Sequence, residues 1–304
     1  MKKIGLAAAV LFAMTGAHAY QVDVQGQSEY LDINSSANNK NYTGDLKGTY
    51  YFKDVDSSKG PLAEAAFLNK ASNVSLGYHY GEFNYSRPEG NPNFNYQDNS
   101  FGVKGEAYFT TPYTGSLPLY TSASYNHTHL DGKNAISPDN NGDRYALEVG
   151  AEPTKNFLVA VGYTRANPIA LDTTDILTYG IAKTYGEATY SGDHKDFVTA
   201  RAKYVGAIDN TNMALGFEAK GIFNNDRGAY GLKTDLYLNP ALSVGVSFAD
   251  TSNLHSDFDH VWGANVNYFI TPAIAVGASY VKANAKNGNT LDTDTYGLNA
   301  LVRF

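Results

Sequence analysis

The stretch Asn-Tyr-Thr-Gly-Asp-Leu-Lys-Gly-Thr-Tyr-Tyr-Phe, residues 41–52, alternates between two kinds of side chain. Its even-numbered positions hold Tyr, Gly, Leu, Gly, Tyr and Phe, and its odd-numbered positions hold Asn, Thr, Asp, Lys, Thr and Tyr. Successive side chains of a β-strand point to opposite faces, so this stretch has one apolar face and one polar face. About ten residues of such alternation are typical of a strand that crosses a membrane between lipid and a watery lumen.

The same alternation recurs along the whole chain, and this repetition carries the prediction because each single instance is weak. It predicts an all-β fold, a transmembrane antiparallel β-barrel of about 14 strands. The predicted strands are residues 20–33, 41–53, 73–85, 101–109, 118–130, 145–151, 157–163, 198–206, 213–220, 230–238, 242–248, 260–270, 274–280 and 295–304.

The connections between these strands alternate between short and long, as barrels of this class require. Four polar loops rich in Asn, Asp, Gly and Ser are predicted at residues 86–98, 131–142, 250–258 and 284–291. Four tight turns are predicted at residues 153–156, 207–211, 239–241 and 271–273.

Two connections depart from this pattern. Residues 54–72 fall where a short periplasmic turn is expected, yet residues 61–69 predict a short helix with Pro near its start. That helix either plugs the inner mouth of the barrel or rests beside its rim. Residues 166–195 form either a loop folded into the lumen, which we favour, or an extra hairpin that would give 16 strands.

The beginning of the chain predicts export. Residues 1–19 combine two lysines, a short apolar run and Ala17-His18-Ala19, the pattern of a cleaved signal peptide. Residues 20–304 would then form a single transmembrane β-barrel domain. Loss of Lys2 and Lys3 lowers the net charge from −7 to −9, which argues against nucleic acid as a partner. The chain contains no cysteine, so a barrel closed by its own hydrogen bonds must hold it together without disulfides.

The last strand ends on an aromatic residue. Tyr296, Leu298, Ala300 and Val302 share a face with Phe304, the final residue. This pattern resembles the signal by which the barrel assembly machinery recognises outer-membrane proteins. We therefore expect this machinery, outer-membrane lipid and lipopolysaccharide as partners.

Charged residues fall on the polar face of the predicted strands. A lysine or arginine facing lipid near the midplane would cost roughly 2–4 kcal/mol, so this face is predicted to line the lumen. The charges create a transverse field across a constriction, or they merely satisfy one another in a narrow barrel. The predicted pore-lining residues are Asp45, Lys47, Lys104, Glu106, Arg144, Glu148, Arg201, Lys203, Glu218, Lys220, Lys233 and Asp235.

No catalytic site or cofactor is predicted. The chain has no cysteine nucleophile and no Gly-x-Ser-x-Gly motif. His127 and His129 share a strand face, but two ligands fall short of the usual three or four, so no metal site is predicted. An outer-membrane barrel hydrolase or an adhesin remains the alternative function.

Several stretches resemble the outer-membrane porins of γ-proteobacteria. They are residues 17–26, 48–52, 60–68 and 196–204, together with the closing strand. The segment Gly-Pro-Leu-Ala-Glu-Ala-Ala-Phe-Leu at 60–68 is the most specific, because a barrel has no generic need for it. The resemblance implies a small monomeric barrel of fourteen strands with a narrow channel.

These observations predict an outer-membrane porin that allows passive diffusion of water, ions and small polar solutes through a narrow charged lumen. The negative net charge and the acidic loops predict a weak preference for cations.

Overall fold

The computed structural model is a closed antiparallel barrel of fourteen strands. The structure describes residues 19–33, 41–85, 94–133, 140–167, 172–174, 195–225, 227–252, 258–285 and 292–304. The strands are β1 (Ala19–Ile33), β2 (Asn41–Asp56), β3 (Asn73–Tyr85), β4 (Phe94–Phe109), β5 (Leu119–Gly132), β6 (Asn140–Thr154), β7 (Phe157–Ala166), β8 (Lys195–Ala207), β9 (Ala214–Asn224), β10 (Arg227–Asn239), β11 (Leu242–Ser252), β12 (Phe258–Thr271), β13 (Ile274–Ala285) and β14 (Thr293–Arg303).

Each strand pairs with the next along the chain, and β14 pairs with β1 to close the barrel. Strand β7 pairs directly with β8, from Phe157 opposite Tyr204 to Ala166 opposite Lys195. No hairpin is inserted between these two strands, so the prediction of about fourteen strands is confirmed and the sixteen-strand alternative is wrong. Of the segment 166–195, residues 168–171 and 175–194 lie outside the described residues.

The barrel has polar side chains inside and apolar side chains outside, the reverse of a soluble domain. On β2, the outward Leu46 is 53% exposed, whereas the inward Thr43 and Asp45 are 2% and 6% exposed. The outward face of β14 likewise presents Tyr296 and Leu298. An outer surface of this kind suits lipid, and the inner surface suits water.

The predicted tight turns are confirmed, whereas the predicted loops were too wide. Strand β4 begins at Phe94, inside the predicted loop 86–98, and β6 begins at Asn140, inside the predicted loop 131–142. The ring of Tyr96 on β4 stacks on Phe83 of β3 at 4.8 Å between centroids. These strand ends extend past the level of the lipid, where the outward face need not be apolar. The alternating pattern is therefore absent there, and the sequence predicted loops.

A helical connection, residues 57–72, joins β2 to β3. It contains a 3-10 turn at Leu62–Glu64 and a short helix, α1, at Ala65–Leu68, which confirms the helix predicted at 61–69. It lies at the short-turn end of the barrel, together with the turns around 155–156, 240–241 and 272–273. Among the described residues, no helix has the length and apolar character needed to span a bilayer.

Candidate pore

The inside of the barrel holds a cavity of about 300 Å³ toward the short-turn end. Its walls come from strands β1–β4, β8–β10 and β12–β14, and Ala63, Glu64 and Phe67 of the helical connection form its floor. Among the described residues its basic lining consists of Lys47, Lys104, Arg201, Lys203, Lys220, Lys233 and Arg303. Its described carboxylates are Asp23, Glu64, Glu106, Glu218 and Asp235.

One wall of the cavity carries a network of ion pairs on β8, β9 and β10. Arg201 Nε donates to Glu218 Oε1 at 3.0 Å, and Lys220 Nζ lies 3.6 Å from the same oxygen. Arg201 also lies 3.6 Å from Glu148 of β6, and Lys233 pairs with Asp235 at 2.8 Å. The network therefore fixes charges of both signs on one side of the lumen.

A second set of charges lies across the barrel on β4. Lys104 Nζ lies 3.2 Å from Glu106 Oε1, which also accepts a hydrogen bond from the Tyr120 hydroxyl at 2.7 Å. Arg201 Nη1 donates to that hydroxyl at 3.4 Å. A chain of polar contacts thus connects β4 and β5 with the network on β8.

The wall on β12–β14 has amide side chains in its central part. Asn267 and Asn299 line the cavity there, on either side of Gly277 of β13. A Cβ at Gly277 would lie 2.7 Å from the Asn299 Nδ2 and closer still to the Asn267 Oδ1. The glycine therefore gives both amides room to lie against the wall, which keeps this side of the lumen open.

The helical connection reaches across the short-turn mouth and packs against three sides of the barrel. Ala65 packs with Tyr20 and Tyr51 on β1 and β2. Phe67 packs with Tyr120, Leu158 and Val205 on β5, β7 and β8, and Leu62 packs with Phe269 and Ala275 on β12 and β13. Of the two predicted arrangements, the helix therefore lies across the mouth and narrows it, and does not rest beside the rim; we call this helical connection the plug.

Polar contacts add to this packing. Glu64 pairs with Lys203 at 2.8 Å through Oε2 and accepts a hydrogen bond from the Tyr237 hydroxyl at 2.8 Å through Oε1. Lys70 pairs with Glu152 of β6 at 2.7 Å, and Arg303 Nη1 donates to the Leu62 carbonyl at 2.8 Å. The inward tyrosines of β2, β4 and β10, which are Tyr51, Tyr108 and Tyr237, thus fill space around the plug.

A short segment, Asp172–Thr174, lies inside the barrel above the cavity. Asn126 of β5 accepts hydrogen bonds from the Thr173 amide at 3.0 Å and the Thr173 hydroxyl at 2.8 Å. Asp172 forms an ion pair with Arg144, and Thr174 lines the cavity. This placement agrees, for the three described residues, with the prediction that segment 166–195 folds into the lumen.

Glycines on the barrel wall make room for this segment. A Cβ at Gly77 of β3 would lie 2.6 Å from the Thr173 carbonyl oxygen, and one at Gly102 of β4 would clash with the Thr173 hydroxyl. The segment therefore lies in a shallow notch in the wall.

All twelve residues predicted for the pore project from the inner face of the barrel, and nine of them line the cavity. Glu148 and Arg144 lie outside the cavity lining, in the contacts with Arg201 and Asp172. Asp45 is also outside it, with its carboxylate 2.6 Å from Nδ1 of His79; Nε2 of this fully buried imidazole lies 3.3 Å from Asp98.

Sequence reasoning missed two lining carboxylates. Asp23 lies on β1, where the inward register of Asp23, Gln25 and Gln27 could have identified it. Glu64 lies on the helical connection, where no strand register applies, so only the three-dimensional packing reveals its position.

Among the described residues, no group of three or more His, Asp or Glu side chains is arranged to hold a metal ion.

Comparison with known proteins agrees with this architecture. The model of the family described as "Putative general bacterial porin" matches residues 1–304. The crystal structure of outer membrane protein Omp33 from Acinetobacter baumannii is 52% identical, with a TM-score of 0.67 over 94% of this chain and 99% of that chain. A mutant of the TodX monoaromatic hydrocarbon channel has a TM-score of 0.51 at 10% identity over 94% of this chain and 90% of that chain, a likeness of fold alone. No match was found among curated proteins.

The family match spans the whole chain, and the similar Acinetobacter protein covers almost all of it. Both concern bacterial outer-membrane proteins, and the porin family indicates a channel and not an enzyme. The chain therefore belongs to this family of general bacterial porins and is a barrel of the bacterial outer membrane.

Proposed function

We propose that this porin allows water, ions and small polar solutes to diffuse passively through the charged cavity, between the helical connection and segment 172–174. The observation that carries the proposal is a polar cavity of about 300 Å³ inside a barrel whose outer face is apolar. Nine of the twelve predicted residues line the cavity, Glu148 contacts Arg201 of this lining, and Arg144 binds Asp172 above it. Short turns of bacterial outer-membrane barrels face the periplasm, so the helical connection narrows the periplasmic mouth.

Solute size is the property that this geometry controls most directly. Liposomes that contain the purified, refolded protein are expected to swell in glycerol and in a pentose and to respond weakly to a disaccharide. Protein-free liposomes give the background rate. Equal swelling with all three solutes would contradict a narrow pore, and swelling at the background rate with all of them would contradict a diffusion pore.

We further propose that the protein carries out no catalytic step. Phospholipid vesicles incubated with the purified barrel are then expected to keep their lipids intact, as thin-layer chromatography can establish. Release of fatty acid or lysophospholipid above that of vesicles alone would instead favour the hydrolase alternative.

Export and assembly are part of the same proposal. Residues 1–19 act as a cleaved signal peptide, so intact-mass measurement of protein extracted from outer membranes is expected to place the first residue at Tyr20. A monomeric barrel then lies among lipid and lipopolysaccharide, and native mass spectrometry in detergent should give the mass of one chain. A mass that retains residues 1–19, or a stable oligomer, would overturn the corresponding part.

We propose that the barrel assembly machinery recognises Phe304. Its backbone pairs with Val22 across the seam at 2.9 Å, and its side chain is 44% exposed on the outer surface. Phe304→Ser should reduce the amount of barrel in outer membranes several-fold, whereas Phe304→Tyr, which keeps the aromatic ring, should not. Equal amounts of both variants would contradict this role.

A further inference from the structure

The described charges around the cavity do not balance. Seven lysines and arginines line it against five carboxylates, which leaves two excess positive charges in the lining itself. The excess lies between the helical connection and Thr174, where the path is obstructed from both sides. A permeating ion meets this part of the lining at close range, with little water to screen it.

Glu218 and Asp235 on this wall are less available to a solute than Lys220. Glu218 is shared between Arg201 and Lys220, and the Asp235 side chain is only 7% exposed beside Lys233. Lys220 is the most exposed of the described lining charges with an ion pair, at 37% of its side chain. Its ammonium group lies 3.6 Å from Glu218, so this carboxylate, which Arg201 already binds, neutralises it only in part.

Another part of the lining, on β12–β14, favours the same sign of solute. Asn267 and Asn299 present amide side chains to the cavity, and amides can donate hydrogen bonds to an anion without adding negative charge. An anion can therefore pass the exposed Lys220 on one wall and neutral polar groups on β12 and β14.

We propose that this lumen prefers anions over cations, and that chloride and small carboxylates such as acetate are its class of charged solute. The inference rests on the proposed pore function and adds the sign of its selectivity. Rings of charge at a constriction select ions by their sign, and the low-dielectric walls focus the field there. The net charge of the whole chain predicts the opposite preference, but exposed charges farther than about 10 Å from the path are largely screened at 0.1 M salt.

The test is the reversal potential of the refolded full-length barrel in a planar bilayer under a tenfold gradient of potassium chloride. The sign of the reversal potential is expected to show a preference for chloride. Its value should correspond to a chloride-to-potassium permeability ratio of roughly 2 to 5, as a lining potential on the order of kT would produce. Replacing chloride with acetate on both sides should preserve the sign.

Two variants of Lys220 test the assignment to this wall. Lys220→Glu removes the two excess positive charges, so the permeability ratio should fall to about 1, and Lys220→Gln should give an intermediate value. Lys155→Glu makes the same change of charge in the exposed turn between β6 and β7 and should leave the ratio within error of the wild type.

The outcomes separate this inference from the proposed function. A conducting but cation-selective wild-type protein, or variants at Lys220 and Lys155 with equal effects, would overturn the anion preference and leave the pore intact. The absence of any conductance would overturn the pore and the anion preference together.

Discussion

Glu64 links the floor of the cavity to two strands of the barrel. One carboxylate oxygen pairs with Lys203 and the other accepts from Tyr237, while the Lys203 ammonium also lies 4.9 Å from the centre of the Phe67 ring. The Lys203 and Glu64 side chains are 17% and 13% exposed, so water screens their interaction less than it screens a surface pair. Glu64 is therefore the residue most directly placed to hold the helical connection in the mouth.

The substitution Glu64→Gln should loosen this connection. It removes the charge that binds Lys203, and a hydrogen bond between charged groups is worth roughly 1.5–3 kcal/mol. If the connection moves between a seated and a displaced position, about 1.4 kcal/mol of lost stabilisation raises the displaced fraction about tenfold. Single-channel recording should then detect more frequent visits to a larger conductance level.

The matched control for this substitution is Asp209→Asn, in the exposed turn between β8 and β9 at the same end of the barrel. It removes the same charge without touching the connection. Equal recordings from both variants would mean that the Glu64 contacts do not hold the plug.

Residues on strands were more predictable than residues on connections. Alternation with a period of two placed Arg201, Lys203 and Glu218 on the inner face, because a charge on the outer face would meet lipid. No such rule applies to Glu64. The inward apolar residues Leu158 and Val205 could have indicated that the helical connection enters the barrel, because apolar side chains on a polar inner wall need an apolar partner. That partner is Phe67.

Among the elements of the barrel, the helical connection matters most to the size of the pore. Leu62, Ala65 and Phe67 contact three separate groups of strands, so the connection spans the mouth from side to side. Such packing depends on side chains far apart in sequence, which is why residues 61–69 predicted a helix but not its position.

Replacement of residues 62–68 by a Gly-Ser segment of equal length should widen the path. The segment loses its apolar anchors and the Glu64 contacts, whereas the strands keep their own hydrogen bonds. In liposome swelling, a disaccharide that enters slowly through the wild-type protein should enter at a rate near that of a pentose.

A Gly-Ser replacement of residues 208–212, in the turn between β8 and β9, provides the control at the same end. An unchanged size limit after the replacement of 62–68, with the barrel still folded, would contradict the role assigned to the plug.

Asn126 is the hydrogen-bond partner of segment 172–174 inside the barrel. Asn126→Ala removes the acceptor for both the Thr173 amide and its hydroxyl. Loss of two hydrogen bonds worth roughly 1 kcal/mol each should raise the exchange rate of the Thr173 amide about tenfold to thirtyfold above that of the wild type. Hydrogen–deuterium exchange followed by mass spectrometry of a peptide covering the segment measures this.

Asn265→Ala is the control, because Asn265 of β12 also points inward but donates to Asp235 of β10 and not to the segment. Unchanged exchange in the Asn126 variant would show that other contacts keep the segment in place.

Strand positions followed from the sequence wherever one face of the strand meets lipid. The beginning of β4 did not, because Asn95, Gln97, Asp98 and Asn99 are residues typical of loops. There the pairing of β4 with β3 continues through Tyr85 and Phe94, and backbone hydrogen bonds to β3 outweigh local propensity.

For the whole molecule, the seam between β1 and β14 decides whether the barrel is closed. Asp23 and Arg303 face each other across it and form a buried ion pair at 3.1 Å. The Arg303 guanidinium also lies against the rings of Tyr20 and Phe269, at 4.4 Å and 4.7 Å from their centres. Arg303 thus connects the seam with Phe269 in the cavity wall and with Leu62 of the plug.

Asp23→Ala should destabilise the barrel by roughly 3–5 kcal/mol, because it leaves the Arg303 charge buried without its partner. The double variant Asp23→Ala with Arg303→Met should lose less, since it removes both charges. Urea unfolding in detergent micelles measures the free energy of unfolding of each variant.

The surface pair of Asp131 and Lys133, at 2.8 Å and with both side chains 40% exposed, supplies the comparison. Asp131→Ala should change the free energy of unfolding by less than about 1 kcal/mol. A larger loss there than in Asp23→Ala would contradict the importance given to the seam.

We propose that the lumen of this closed barrel is an open, narrow diffusion path for small polar solutes. Single-channel conductance of the refolded full-length protein in a planar bilayer tests this proposal, with the variant that carries Gly-Ser at residues 62–68 recorded alongside. We expect discrete conductance steps from the wild-type protein and larger steps from the variant. Silence from both proteins, when both are folded and inserted, would contradict it.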